Sequence, residues 1–473
     1  MKPSLKKLKE AIWLRSPILK TIMQKHGDRT LYDYAKGFLD VNPAPGLDER
    51  KSELIDVVEE LLTRRLGKKM AIAVARQLKK NALISTADHH GIICHPFFLN
   101  SNIISSLHFQ SEPSFKYLIA FSFATISLSN SSHPRSIEFH GDGKQSRVRL
   151  KVSLLPDKLK MTPAYAARAI GAEDVQRACL EIDKHQKADD LSPEHAEQIK
   201  KMLKKVFLRR EVLSAPDFNA QITITNHRLW PLLFDKKPPL PSLIYLEIET
   251  VVAEMLIRKH LKNPQSLIHR LLFDPKWAAL AQKHFNHIPG GSSHLFWGLN
   301  AKNHRLCLKK KGKALLSDDK TFKVDWSPKG LTTALKEKKI FPGMPLCYLM
   351  ISLYYGMKCL GGFCQVNELT NIKKAWSALL REVGEQKEAQ AIKPVQTKEL
   401  GGDGMVLAYL KTEKGNRIPA TGIDLLLQHP SPSFSSYKAF AKKVTLNQMM
   451  VPMLPEMFHV LYSADERNPD LIE

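Results

Sequence analysis

Over the first ninety residues the spacing of apolar positions changes from a helical to an extended pattern. Leu54, Val57, Val58, Leu61, Leu62 and Leu66 recur at the spacing of one apolar helix face. Gly67 interrupts that run, and a second, basic helix is expected from about Lys68 to Lys80. The short run Leu83 to Thr86 then reads as a strand, so Asp88 falls just past a strand's C-terminal end. In open α/β sheets ligands gather there, because the loops outside the strand ends form a crevice.

From about Asn102 to Leu155 the pattern is β-like. Arg135 to His140 and Arg147 to Leu154 flank Gly141-Asp142-Gly143-Lys144, which predicts a hairpin. Helices are expected from about Thr162 to Leu213, with Ser192-Pro193 as an N-cap and first turn. Ala220 to Thr225 reads as a strand, and Ser242 to Leu261 as a helix behind the rigid connector Phe234 to Pro241. Two further hairpins are expected, one turned by Asn300-Ala301-Lys302-Asn303 and one around Glu413-Lys414-Gly415-Asn416. A charged helix from about Ile372 to Ala391 separates them. No fixed-period repeat is present.

These elements predict a mixed α/β fold, with α+β as the alternative. A helical N-terminal region packs on a sheet-containing core, and hairpins and helices follow in the C-terminal half. The connector sets an expected boundary between 1–235 and 242–473, with a single integrated domain as the other arrangement. At 473 residues and 43% hydrophobic, the chain has enough apolar surface for a large core. The apolar stretches Tyr117 to Leu128 and Pro345 to Met357 fall short of the ~20 residues that cross a bilayer. The basic N-terminus has no unbroken apolar stretch of the secretory kind, and the six cysteines form no CxxC pair. Together these point to a cytoplasmic protein with no membrane span.

Charge adds a second theme. Lys and Arg number 71 against 47 acids, a net charge of +24. Three readings compete: attraction of phosphate-bearing partners such as nucleic acid, nucleotides or an anionic membrane surface, a match to a small anionic substrate, or a compositional bias with no bearing on function. The basic residues are dispersed in short groups, of which Lys309-Lys310-Lys311 is the longest. Dispersed charge is weak evidence for a dedicated nucleic-acid groove.

The densest chemistry is Asp88-His89-His90-Gly91-Ile92-Ile93-Cys94-His95. Imidazole and carboxylate bind divalent metals and move protons near neutral pH. Asp88, His90 and His95 are the candidate metal ligands. His89 would then face away from the metal, as a catalytic or supporting group. The spacing matches no His-Glu-x-x-His signature. A second polar stretch, Asn130-Ser131-Ser132-His133-Pro134-Arg135, also follows an apolar strand. His133 is a candidate proton shuttle, and Arg135 a bidentate clamp for a carboxylate or phosphate. The two stretches are close enough in sequence to converge.

Lys358, at the edge of the most apolar segment, is a further candidate for an anionic group. The neighbouring Cys359 and Cys364 have no base nearby in sequence. The cluster His284 to His294, with its Gly-Gly-Ser-Ser turn, reads as a connector, and Gly401-Gly402-Asp403-Gly404 as a tight turn. The resulting expectation is an enzyme with a His/Asp site, metal-assisted hydrolysis being the first chemistry to test. The alternative is a basic protein that binds nucleic acid or an anionic membrane without catalysis.

Overall fold

The computed structural model describes residues 3–42, 44–143, 148–235, 240–286, 295–411, 417–467 and 471. Its centre is a four-stranded parallel sheet: β1 (Leu83–Ser85), β2 (Tyr117–Ser122), β3 (Ser242–Glu247) and β4 (Lys358–Leu360), in the order β4-β1-β2-β3. Side chains alternate strictly between its two faces. Leu83, Leu118, Ala120, Leu243, Tyr245 and Leu360 enter one hydrophobic core. Ile84, Ile119, Phe121, Ile244, Leu246 and Cys359 enter the other. Helices α1 (Asp48–Leu66) and α2 (Lys68–Lys80) cover the second face. Helices α3 (Pro96–Ser105) and α4 (Phe218–Leu229) cover the first. The fold is mixed α/β.

A sheet buried on both faces turns its strands into continuous apolar runs and hides the period of two. This explains two differences from the sequence expectation. Ser242 to Glu247 is the edge strand of the parallel sheet, and the helix begins only at Ile248. Ala220 to Thr225 lies inside α4, because Asp217 caps that helix by accepting from the Ala220 amide at 2.9 Å. The β-branched run Ile222 to Thr225 is buried, so packing overrides its strand propensity. Similarly, Asn102 sits on α3 and not in a β region; all ten residues of that helix are buried.

The expected N-terminal helices, the hairpin of Ser136–His140 with Arg149–Ser153, and that of Phe296–Leu299 with Arg305–Lys311 are all present. The latter pair belongs to a five-stranded antiparallel sheet packed on the second core. Tyr409–Lys411 pairs with Arg417–Pro419, while the expected turn at Glu413 to Asn416 lies outside the described residues. The connector at Phe234 to Pro241 is described only in part. It joins two halves of one sheet, since β2 and β3 on either side pair over six residues. Among the described residues no helix is long and apolar enough to cross a membrane.

Chain order fixes where a crevice opens. From β1 the chain proceeds to β2 and β3 on one side, then returns to place β4 on the other side of β1. The strand order therefore reverses between β1 and β4, and the loops leaving their C-terminal ends part there.

Candidate active site

After β1 the backbone stays extended, with His89 bridged to Phe123 beyond β2. The period of two therefore sends Asp88 and His90 to one face and His89 to the other. Asp88 is fully buried; its Oδ2 accepts from the Tyr245 hydroxyl and from Asn102 Nδ2 of α3, the latter at 2.6 Å. Burial pushes its carboxyl up to about 7, against the pull of those two donors. His90 spends both ring nitrogens on structure. Nε2 lies 3.1 Å from the Asn219 carbonyl, which can only accept, so the proton is on Nε2, and Nδ1 takes the Ser122 hydroxyl at 2.7 Å. These two side chains tie the sheet to α3 and α4.

The expected ligand set Asp88, His90 and His95 is accordingly not brought together. Among the described residues no three His, Cys, Asp or Glu side chains are grouped to hold a metal ion.

His89, which the metal reading had facing away, reaches a cavity of about 290 Å³ at the β1/β4 divergence. Its Nδ1 is 2.8 Å from Ser132 Oγ. Asn130 Oδ1 accepts both the Ser132 amide, at 3.0 Å, and the Ser132 hydroxyl, at 2.8 Å. An amide N–H can only donate, so the Asn130 atom facing it is the oxygen, and the single Ser132 hydroxyl proton is used there. Ser132 Oγ must then accept from His89 Nδ1–H, which leaves the Nε2 lone pair toward the cavity. Burial lowers His89 to about 4, so the ring is neutral at physiological pH.

His95 has the opposite polarity. It caps α3: its Nδ1 accepts from the Phe97 amide at 3.3 Å, so the neutral ring carries its proton on Nε2. That Nε2 is buried and meets no partner, and His95 lines the same cavity. Burial, then the Arg149 charge, holds His95 well below its ordinary value. Both rings stand against Phe98, with centroids at 5.1 Å and 5.4 Å. The cavity thus receives one imidazole acceptor and one imidazole donor.

The two polar loops do converge, and Gly91 is the reason they can. Ile92 donates to the Pro134 carbonyl at 3.3 Å. A Cβ on Gly91 would meet Pro134 Cα at 2.6 Å and its carbonyl oxygen at 2.9 Å. Backbone atoms cannot yield as a side-chain tip can. Gly91→Ala is expected to destabilise the protein by about 1–3 kcal/mol, the range for overpacking, and to loosen the Ser132–His89 contact. Urea unfolding of the purified variant checks this; an unchanged midpoint would show that the loops part freely.

His133 and Arg135 lie on the second loop but outside the cavity wall. His133 Nε2 is 3.4 Å from Glu138, which also binds Arg149. Burial, then Lys151, Arg149 and Arg135, lowers His133 to about 4. Arg135 donates to the Leu155 carbonyl and to Asp157. Lys358 starts β4, at the end of the strand away from the cavity, and donates to the carbonyls of Gly37 at 2.9 Å and Asp40 at 2.7 Å. Neither cation reaches the cavity, and among its described lining residues there is no lysine or arginine. Of the His284 to His294 cluster, residues 287–294 lie outside the described residues; His284 pairs with Glu382 at 3.0 Å.

Distant segments complete the wall. Beyond β4 come Gly362, Cys364, Gln365 and Glu368, the last two on helix α5 (Gln365–Glu382), and Asp403 faces them. A Cβ on Gly362 would overlap Asp403 Oδ2, so a larger residue there would push that carboxyl aside. Asn100 of α3 clamps the Asp403 segment by accepting the amides of Leu407 and Ala408 at 2.6 Å and 2.8 Å. Burial pushes Glu368 to about 7; burial, then Asp88, does the same for Asp403. Burial and these two carboxyls drive the Cys364 thiol well above its ordinary value, which argues against a resting thiolate. Nothing local in sequence marked Glu368, and Asp403 stood among glycines that read as a turn. Only the fold brings them to His89.

No family model matches this chain, and no curated protein shows significant similarity to it.

Proposed function

We propose that the protein is an acid–base hydrolase whose site is the cavity between β1 and β4. One observation carries the reading: two neutral imidazoles of opposite polarity, His89 presenting a lone pair and His95 an N–H, line one cavity at the switch point of a parallel sheet. His89 Nε2 takes a proton from water as its oxygen attacks a carbonyl carbon. His95 Nε2–H donates to the carbonyl oxygen as charge builds on it. The His89 imidazolium then returns its proton to the leaving group, and both rings end neutral.

The aromatic side chains Phe97, Phe98, Phe123, Tyr348 and Phe363 would take the apolar part of the substrate. The anionic substrate expected from the net charge finds no lysine or arginine among the described residues of this wall. The polyanion-binding alternative rests on exposed lysines elsewhere, such as Lys309, Lys310 and Lys311 on one strand, and would show as binding that falls steeply with ionic strength.

The test is turnover of p-nitrophenyl esters and anilides whose acyl groups are uncharged, ammonium-bearing or carboxylate-bearing. For the uncharged acyl groups, the expected kcat/KM persists down to about pH 5 and falls with acid through about 4, where His89 becomes charged. It survives dialysis against a chelator. Absence of turnover across the set, or an acid limb at the ordinary histidine value, contradicts the reading; loss on chelation restores a metal to the mechanism.

A further inference from the structure

The cavity wall carries several acceptor atoms without a partner, although the Asp403 carboxyl also has the backbone amides of Phe363 and Gly404 against it. Asp403 is 7% exposed and its Oδ1 has no partner. Gln365 is 4% exposed; its Nε2 donates to Thr86 Oγ1 at 2.6 Å, which leaves Oε1 buried and unpartnered. The Glu368 carboxyl meets no hydrogen-bond donor among the described residues, and burial is the sole cause of its shift. His89 adds a lone pair. Among the described lining residues, His95 Nε2–H is the fully buried donor without a partner.

Burying unpaired acceptors and acids is unfavourable unless a partner arrives. In a chain of net charge +24, no described lysine or arginine lines this wall. A partner complementary to this wall would carry donors and positive charge. Aromatic rings on the same wall attract a cation through their faces and an apolar body through their area.

We propose that the cavity binds a small organic ammonium, whose N–H groups go to Glu368, Asp403 and Gln365 while its apolar body lies among the phenylalanines. The inference rests on the same cavity as the hydrolase reading and adds the class of substrate: an ester or amide that also bears an amine. An ammonium supplies three donors, matching the three acceptors. Its charge would favour the ionised form of both carboxyls, which burial, and for Asp403 also Asp88, disfavours.

Three probes of similar size decide it by titration calorimetry on the full chain: benzylammonium, benzyl alcohol and benzoate. Benzylammonium is expected to bind at least about ten-fold tighter than benzyl alcohol, with benzoate weakest. That preference should collapse in the double variant Glu368→Gln with Asp403→Asn, whose folding is verified by its thermal melt. Equal or tighter binding of benzyl alcohol or benzoate overturns the proposal, as does failure of all three to bind at millimolar concentration. Displacement of benzylammonium by equimolar magnesium or calcium chloride also overturns it, in favour of an inorganic cation. The comparison among probes on the native chain stands even if the double variant does not fold. Binding of benzylammonium without ester turnover keeps this inference and loses the hydrolase; turnover with no cation preference does the reverse.

Discussion

Arg65→Met is expected to destabilise the protein by about 3–5 kcal/mol, the effect of stripping one partner from a buried ion pair. Arg65, at the end of α1, reaches both oxygens of Glu247 at 2.5 Å and 2.6 Å, and also Thr223 of α4 at 3.0 Å. Glu247 closes β3 and is 2% exposed. Burial alone would raise its pKa; the Arg65 charge and hydrogen bonds overcome this and hold it at about 2. A depressed carboxyl stabilises the fold above its ordinary value of 4.5 and loses that contribution as pH falls toward 2. The penalty of the substitution is therefore largest at neutral pH and narrows with acid below 4.5. Urea unfolding at neutral and at acidic pH measures both. A variant within half a unit of wild type, in kcal/mol, would show that the pair contributes little beyond its own desolvation.

His89→Ala is expected to reduce kcat/KM by about 10²–10⁴-fold, the usual contribution of a positioned general base, with little change in thermal midpoint. The ring is held by one hydrogen bond and an edge contact to Phe98, so its loss removes chemistry more than packing. Ser132→Ala separates two mechanisms. In the assigned network Ser132 only orients the ring, because its proton belongs to Asn130 Oδ1. Its removal should then leave a smaller defect than the loss of His89. A Ser132→Ala variant as inactive as His89→Ala, with a burst of product in the wild type, would make that hydroxyl the nucleophile.

How much of this could be read from the chain depends on where periodicity survives burial. Amphipathic α1 and α2 keep one face in water, and their apolar stripe was legible. The strand Leu83 to Ser85 and the position of Asp88 beyond it were legible too, since a helix-to-strand change and a polar run mark them. β3 and α4, buried all round, lost that contrast and exchanged identities. The crowding of histidines drew attention to the segment that lines the candidate cavity, but the placement of each ring depends on alternation along an extended segment and on partners 43 to 157 residues away. Asp88 and His90 answer Tyr245 and Asn219, while His89 answers Ser132 and shares its cavity with Asp403. A turn-like Gly-Gly-Asp-Gly carries no local trace of the cavity wall it becomes.

The account stands on which nitrogen of each ring bears the proton, and long-range ¹⁵N–¹H correlation spectra of the imidazoles report that directly. With resonances assigned by His89→Gln and His95→Gln, His89 should be protonated on Nδ1 and His95 on Nε2. Both should stay neutral from about pH 5.5 to about pH 8. Two rings of the same tautomer, or imidazolium signals growing in near the ordinary histidine value, would contradict it.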